Sequence, residues 1–300
     1  MRTTYDRGVS SRIALASCLD LPTGDGDDRP LVQALSDAGV EAAMVPWDQP
    51  GVDWAQYDAT VIRATWNYTT RRDEFLAWAA AVPRLFNPQS VVLANSDKTY
   101  LAGLADAGLP VVDTRMAPPG TEPELPESGE FVLKPSVGAG SRGVGRFDAD
   151  RPGAHQQARE HAARLHALGR TVLVQPYLNA VDAAGETALI FLDGVFSHAI
   201  RKGPMLRPGA RHQADGQALY LEENITAREP SQAELAVAER VFEYANAGQE
   251  ENLLYARIDL LPGPDGPVVV ELELVEPSLF FLHADGAAAR MAAAIKARVS

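Results

Sequence analysis

The chain has 300 residues, 46% hydrophobic and 22% charged, with a formal net charge of −13. That length can bury a large core and hold two or three domains, while the acidic balance argues against a duplex-binding surface, which needs a basic face. The single cysteine, Cys18, rules out an intramolecular disulfide and a cysteine-based metal site, and no apolar run approaches the ~18–20 residues of a membrane span.

Met1–Ser11 is polar, lacks the apolar core of a signal peptide and reads as a loose extension, so a cytoplasmic location is expected. Arg12–Ala16 reads as a buried strand, and Cys18, in the apolar run from Ile13, as a buried structural thiol. An acidic, turn-rich loop follows at Asp20–Asp28. Leu31–Ala38 has helical periodicity and stops at Gly39. Glu41–Val45 and Ala59–Ile62 read as strands and Arg72–Ala81 as a helix. This alternation predicts a small α/β domain with a mostly parallel sheet.

Asn95-Ser96-Asp97 supplies N-cap residues for a helix running to Gly108, ended by Leu109-Pro110. Pro118–Gly129 reads as an exposed connection. Glu130–Leu133 and Val144–Phe147 read as paired strands around a glycine-rich loop. Ala154–Leu168 is a helix stopped by Gly169; its His155, His161 and His166 lack metal spacing and read as surface residues. Thr171–Gln175 is a further strand. Thr187–Leu192 and Val195–Ile200 form a hairpin about Asp193-Gly194. After a helix at Gln232–Ala247, Leu253–Leu261 and Val268–Leu274 form a second hairpin about Gly263-Pro264-Asp265-Gly266. Ala284–Arg298 is a closing helix.

Only four lysines occur, Lys98, Lys134, Lys202 and Lys296, against a background of arginine. Lysine is a compact point charge and arginine a planar fork. Three of the four are placed for a polyphosphate, which must be held by a local cationic cluster against the acidic field of the molecule. Lys134 stands just before Gly138-Ala139-Gly140-Ser141-Arg142-Gly143, a G-x-G-x-x-G match. A dinucleotide fingerprint would open a helix, and these glycines lead into a strand. The Gly-Lys-Ser/Thr of a Walker loop and the His-Arg-Asp and Asp-Phe-Gly segments of a protein kinase are absent. Two readings remain: a hairpin loop whose N–H groups and Ser141 hydroxyl close over phosphates, or a surface turn.

The second constellation is acidic. Glu271 and Glu273, two apart in a strand, share a face, and Asp259 can meet them from the hairpin partner. Three carboxylates on one face repel unless a cation sits among them, and oxygen-only ligation suits Mg²⁺. The alternative is a solvent-facing acidic strand, weakened by the apolar residues around it.

Together these parts resemble the ATP-grasp superfamily over residues 95–280. The resemblance rests on Asn95-Ser96-Asp97-Lys98 with Ala107-Gly108-Leu109-Pro110, on Lys134-Pro135 and the glycine loop, on Val172–Leu178, and on Ala256-Arg257-Ile258-Asp259 with Glu271-Leu272-Glu273. It implies an α/β (α+β) fold: an N-terminal α/β substrate domain (1–94), a central lid domain (95–183) and a C-terminal domain with the metal site (184–300), enclosing ATP. It implies that Lys98 and Lys134 bind phosphates beneath Gly138, Gly140, Ser141 and Gly143. Gln175, Tyr177 and Leu178 would receive adenine, and Glu186 the ribose. Asp259, Glu271 and Glu273 would hold Mg²⁺, and Arg257, Arg201 and Lys202 would neutralise the charge developing at the transferred phosphate. Glu273 departs from the family, which usually has Asn there.

Within the superfamily the chain resembles the glutathione-synthetase-like group and, more narrowly, its D-cycloserine synthetases. Glu273–Phe281, Arg63–Tyr68 and His198–Pro204 carry this. It implies an amino-acid-like substrate whose carboxylate is activated as an acylphosphate and then closed on a nitrogen of the same molecule, as from O-ureido-D-serine to D-cycloserine. The alternative is an intermolecular carboxylate–amine ligase. Arg63 could bind a carboxylate; Trp66, Asn67, Tyr68 and His198 are further substrate-side candidates, with Trp66 and Tyr68 equally suited to packing. Homodimerisation is a family-level expectation; nucleic-acid and membrane partners are not expected.

Overall fold

The computed structural model describes residues 11–204, 206 and 224–300; the expected extension before Ser11 lies outside the described residues. Strands β1 (Arg12–Ser17), β2 (Glu41–Pro46), β3 (Ala59–Ile62) and β4 (Leu85–Phe86) form a sheet in the order β2-β1-β3-β4, with every pairing parallel. Ile13–Ser17 is buried without a break, the pattern of a parallel strand covered on both faces. Helix α1 (Asp28–Asp37) starts earlier than the apolar periodicity predicts, and its first residue, Asp28, is buried in an ion pair with Arg63. A 3-10 turn, Trp66–Thr70, follows β3 and leads into α2 (Arg72–Ala81). Cys18 is fully buried, as expected.

The helix predicted from Asn95 to Gly108 is shorter, α4 (Tyr100–Asp106), and a helix that the sequence reading did not include, α3 (Gln89–Asn95), ends just before it. Asn95 ends α3 and caps neither helix. Its side chain donates to the Leu272 carbonyl at 2.9 Å and accepts from the Leu274 N–H at 2.8 Å. Beyond it the Lys98 N–H is taken by the Ser136 carbonyl at 2.7 Å, so tertiary bonds compete with the helical ladder at the break. The expected domain boundary at 94/95 falls inside α3.

The second sheet is antiparallel, with β5 (Arg115–Ala117), β6 (Glu130–Pro135), β7 (Gly145–Asp148) and β8 (Val172–Pro176) in the order β5-β8-β6-β7. Helix α5 (Ala154–Ala167) packs on it through Ala158, Ala162 and Leu165. His161 is 5% exposed, not a surface residue: its Nε2 lies 2.8 Å from the Gly143 carbonyl. His155 and His166 are half-buried, each with a ring nitrogen at a backbone carbonyl.

A short helix α6 (Val181–Ala184) precedes the third sheet. There β9 (Glu186–Leu192), β10 (Val195–Lys202), β11 (Ile225–Arg228), β12 (Tyr255–Gly263) and β13 (Gly266–Glu273) run antiparallel in the order β11-β10-β9-β12-β13. Helix α7 (Gln232–Asn246) opens with a capping box between Ser231 and Glu234 and packs on one face with α3 and α4. Helix α8 (Ala287–Val299) lies on the other. Its Met291 and Ile295 share a core with Ile13, Leu15 and Leu31 of the first sheet and with Ala188 and Ile190 of the third. The first and third sheets are therefore fastened through one core, and the second has its own. Among the described residues no helix is long and apolar enough to cross a membrane.

Candidate active site

A cavity of about 520 Å³ is lined by the second and third sheets, by the glycine loop, and by the Asp25–Asp27 loop and Trp66–Thr70 turn that extend from the first sheet. Its acidic wall follows from strand register. Asp259 of β12 stands opposite Glu271 of β13, and Arg257 opposite Glu273. One carboxylate oxygen from each of Asp259, Glu271 and Glu273 lies within 4.8 Å of the others. Asp259 is 0% exposed, and Glu271 and Glu273 are half-buried, facing the cavity and paired with chain cations, which argues against a solvent-facing acidic strand.

Cations of the chain compensate this charge. Asp259 accepts from Lys202 Nζ at 2.6 Å and from Arg257 at 2.9 Å. Arg257 also pairs with Glu273, and Lys98 with Glu271 at 2.8 Å. Burial pushes Asp259 up, but Arg257 and Lys202 outweigh it and hold the carboxyl below its ordinary range. Burial also opposes ionisation of Glu271, and there Lys98 and Lys134 win, so its pKa is lowered. At Glu273 burial wins: the pKa rises to about 8 despite Arg257, helped by the charges of Glu271 and Asp259. A compact set of oxygen donors, anionic and backed by counter-charges, suits a hard divalent cation.

Lys134, on β6, is 8% exposed and donates to the Val270 carbonyl at 3.3 Å. Burial drives its pKa down to about 8, and Lys98 reinforces this. Lys98 spans two parts of the site, since its Nζ also donates to the Gly138 carbonyl at 2.7 Å. Gly138, Gly140 and Ser141 line the cavity; Gly143 does not. Gly140, Ser141 and Gly143 all have left-handed backbone. A Cβ on Gly143 would stand 3.2 Å from Leu165 and 3.3 Å from Pro135, so that glycine serves the turn and its packing. Arg142 ties the loop to the Trp66–Thr70 turn, donating to the Trp66 carbonyl at 3.0 Å and to Thr69 Oγ1 at 2.8 Å.

Gln175, Tyr177, Leu178 and Glu186 line the same cavity. The Gln175 side-chain amide donates to Thr114 Oγ1 at 2.8 Å. The Tyr177 ring lies under the Arg146 guanidinium, 3.4 Å from its centroid. Glu186 pairs with Lys202 at 2.7 Å, and burial lifts its pKa to about 7 against that lysine's pull.

Several sequence-derived candidates do not reach the cavity. Strand alternation turns Arg201 to the face opposite Lys202, where it donates to the Ala184 and Ala183 carbonyls. Arg63 is held by Asp28 at 2.8 Å and Asp27 at 3.2 Å, so the carboxylates it binds are the chain's own. Asn67 is spent on Trp47, Asp20 and Asp48. His198 Nε2 meets the Leu279 carbonyl at 2.8 Å. Trp66 and Tyr68 do line the cavity. So do Asp25 and Glu276, which pattern reasoning passed over. Glu276 had a usable signal, a further carboxylate just beyond the acidic strand; Asp25 was hidden among the acids of a loop.

The fold and this cavity define an ATP-grasp ligase, an enzyme that uses ATP to form a C–N bond. Residues 13–87 match the family model of the N-terminal domain of the D-cycloserine synthetase DcsG. The cycloserine biosynthesis protein DcsG of Streptomyces lavendulae is 38% identical over 289 residues, covering 92% of this chain and 94% of that protein. The chain belongs to the D-cycloserine synthetase family. The crystal structure of D-cycloserine synthetase DcsG superposes with a TM-score of 0.86 at 36% identity, over 97% of this chain and 100% of that one. An ATP-grasp RimK domain protein from Sphaerobacter thermophilus shares the fold, with a TM-score of 0.64 at 20% identity over 95% and 100% of the two chains.

Proposed function

We propose that this ligase makes D-cycloserine by closing O-ureido-D-serine on itself. The observation that carries the reading is the carboxylate trio, Asp259 buried behind the half-buried Glu271 and Glu273, bordered by Lys98, Lys202 and Arg257 at one end of the cavity. Family membership over nearly the whole chain supports the substrate.

In this reading the phosphates of ATP lie between Lys98, Lys134 and the glycine loop, with the base between Tyr177 and Leu178 and the ribose at Glu186. Asp259, Glu271 and Glu273 would hold Mg²⁺, which supplies charge neutralisation to the terminal phosphates when bound. Lys98, now on Glu271, and Lys202, now on Asp259, are within the same cluster and can turn from acid to phosphate. Arg257 faces the transferred group. Attack by the substrate carboxylate on the γ-phosphorus breaks its bond to the bridging oxygen, releases ADP and gives an acylphosphate, and such transfer depends mainly on positioning and charge. A nitrogen of the same molecule then displaces phosphate. Closing the loop excludes water from the acylphosphate. A cytoplasmic location suits the lone buried thiol of Cys18.

ADP release is measured with O-ureido-D-serine, its L-isomer and simple D-amino acids, each with and without an added amine, and products are weighed by mass spectrometry. D-cycloserine without added amine is the expected result. A product that appears only with the amine would make the enzyme an intermolecular ligase.

A further inference from the structure

Closing the ring leaves a proton to place. The attacking nitrogen forms a bond to the acyl carbon, the bond from that carbon to the phosphate oxygen breaks, and phosphate leaves with the electron pair. The nitrogen must then lose its N–H proton to an acceptor. Most acids around the phosphate end of the cavity are committed: Asp259 to Lys202 and Arg257, Glu271 to Lys98, Glu273 to Arg257, Glu186 to Lys202.

Glu276 differs. It lines the cavity just beyond β13 and has no ion pair among the described residues. The substrate-side turn of the first sheet holds it at two points. Trp66 Nε1 donates to its backbone carbonyl at 3.0 Å, and the hydroxyl of Tyr68, a residue 3% exposed, lies within hydrogen-bonding reach of its carboxylate. It thus sits where the first sheet meets the end of the acidic strand, between the side expected to hold the amino-acid substrate and the side expected to hold phosphates. We propose that Glu276, positioned by Tyr68 and Trp66, accepts the proton released by the substrate nitrogen as the C–N bond closes. Burial raises its pKa to about 7, opposed by Lys98 and Tyr68 and aided by Glu271, which suits proton exchange near neutrality. The proposal rests on the ligase reading above.

The two half-reactions separate the roles. Acylphosphate is trapped as a hydroxamate with hydroxylamine, and D-cycloserine is measured without it. Glu276→Gln is expected to trap hydroxamate within about threefold of the unaltered enzyme and to lose about 100-fold or more in ring closure, with Glu276→Asp recovering part. Tyr68→Phe removes a donor that lowers the carboxyl pKa, so the acidic limb of its ring-closure profile moves to higher pH. Ring closure by Glu276→Gln within threefold of normal overturns the proposal. So does equal loss of hydroxamate and product, or an unmoved limb in Tyr68→Phe. Absence of ADP release from the unaltered enzyme with any carboxylate substrate would instead sink the ligase reading.

Discussion

Lys134 shows what a residue type alone conveys. In a chain with four lysines, one beside a glycine loop points to a phosphate site, and Lys134 lies in the cavity wall. Removing a preorganised charge from the developing phosphate is worth about 100-fold or more in rate. Lys134→Ala should therefore lose ATP turnover by that factor while unfolding at the normal denaturant concentration; normal turnover would remove its phosphate role. Glu271→Gln should move the magnesium titration of activity about tenfold higher, and an unmoved titration would refute it as a metal ligand. The spacing of Glu271 and Glu273 was enough to put them on one face. The failure of Arg201 was equally readable, because Arg201 and Lys202 are adjacent in a strand and cannot both face one cavity. Arg63 was not readable. Its partners Asp27 and Asp28 lie 36 and 35 positions away.

At the scale of elements, the long strands were visible; the short strands β4, β5 and β11, the helix α3 and the late start of α4 were not. Apolar runs located β1, β2 and β3 of the first sheet, whose strands are largely buried, and the two hairpins of the third. The stretch from Asn95 to Gly108 has helical periodicity and a cap-like start, but the side chain of Asn95 serves β13 instead. Asn95→Ala leaves the Leu272 carbonyl and the Leu274 N–H without that partner and should destabilise the protein by about 2 kcal/mol in chemical denaturation. An unchanged midpoint would mean that water replaces both bonds. The glycine loop carries its own test. Arg142 makes two hydrogen bonds to the Trp66–Thr70 turn, each worth about 1 kcal/mol. Arg142→Ala should raise the KM for ATP about tenfold with a smaller effect on kcat; a normal KM would mean the loop closes without that tie.

Across the whole molecule, the first and third sheets are joined by a shared core and by a polar fastening. Asp27 accepts the N–H groups of Leu279, Phe280 and Phe281 at 2.7, 3.0 and 2.6 Å, and holds Phe280 in left-handed backbone at the cavity edge. Asp25 borders that fastening. Burial pushes its pKa up to about 6, the Asp28 and Asp27 charges add to this, and Arg63 opposes it. A carboxyl raised on folding binds more protons folded than unfolded between its two pKa values. Its contribution is fully present below pH 4 and is lost as the pH rises through 6. Against the unaltered protein, Asp25→Asn should therefore gain stability across that window, by on the order of 1–2 kcal/mol after solvent screening, with a flat difference above it. No gain by pH 7 would show that Asp25 ionises freely in the fold. The sequence by itself determined the α/β alternation, the lysine–glycine loop and the acidic hairpin, because strand period and residue chemistry are local properties. Only the tertiary structure decided which charges reach the cavity, where α3 ends and α4 begins, and that Glu276 faces the substrate side. Those outcomes depend on partners brought together from distant parts of the chain.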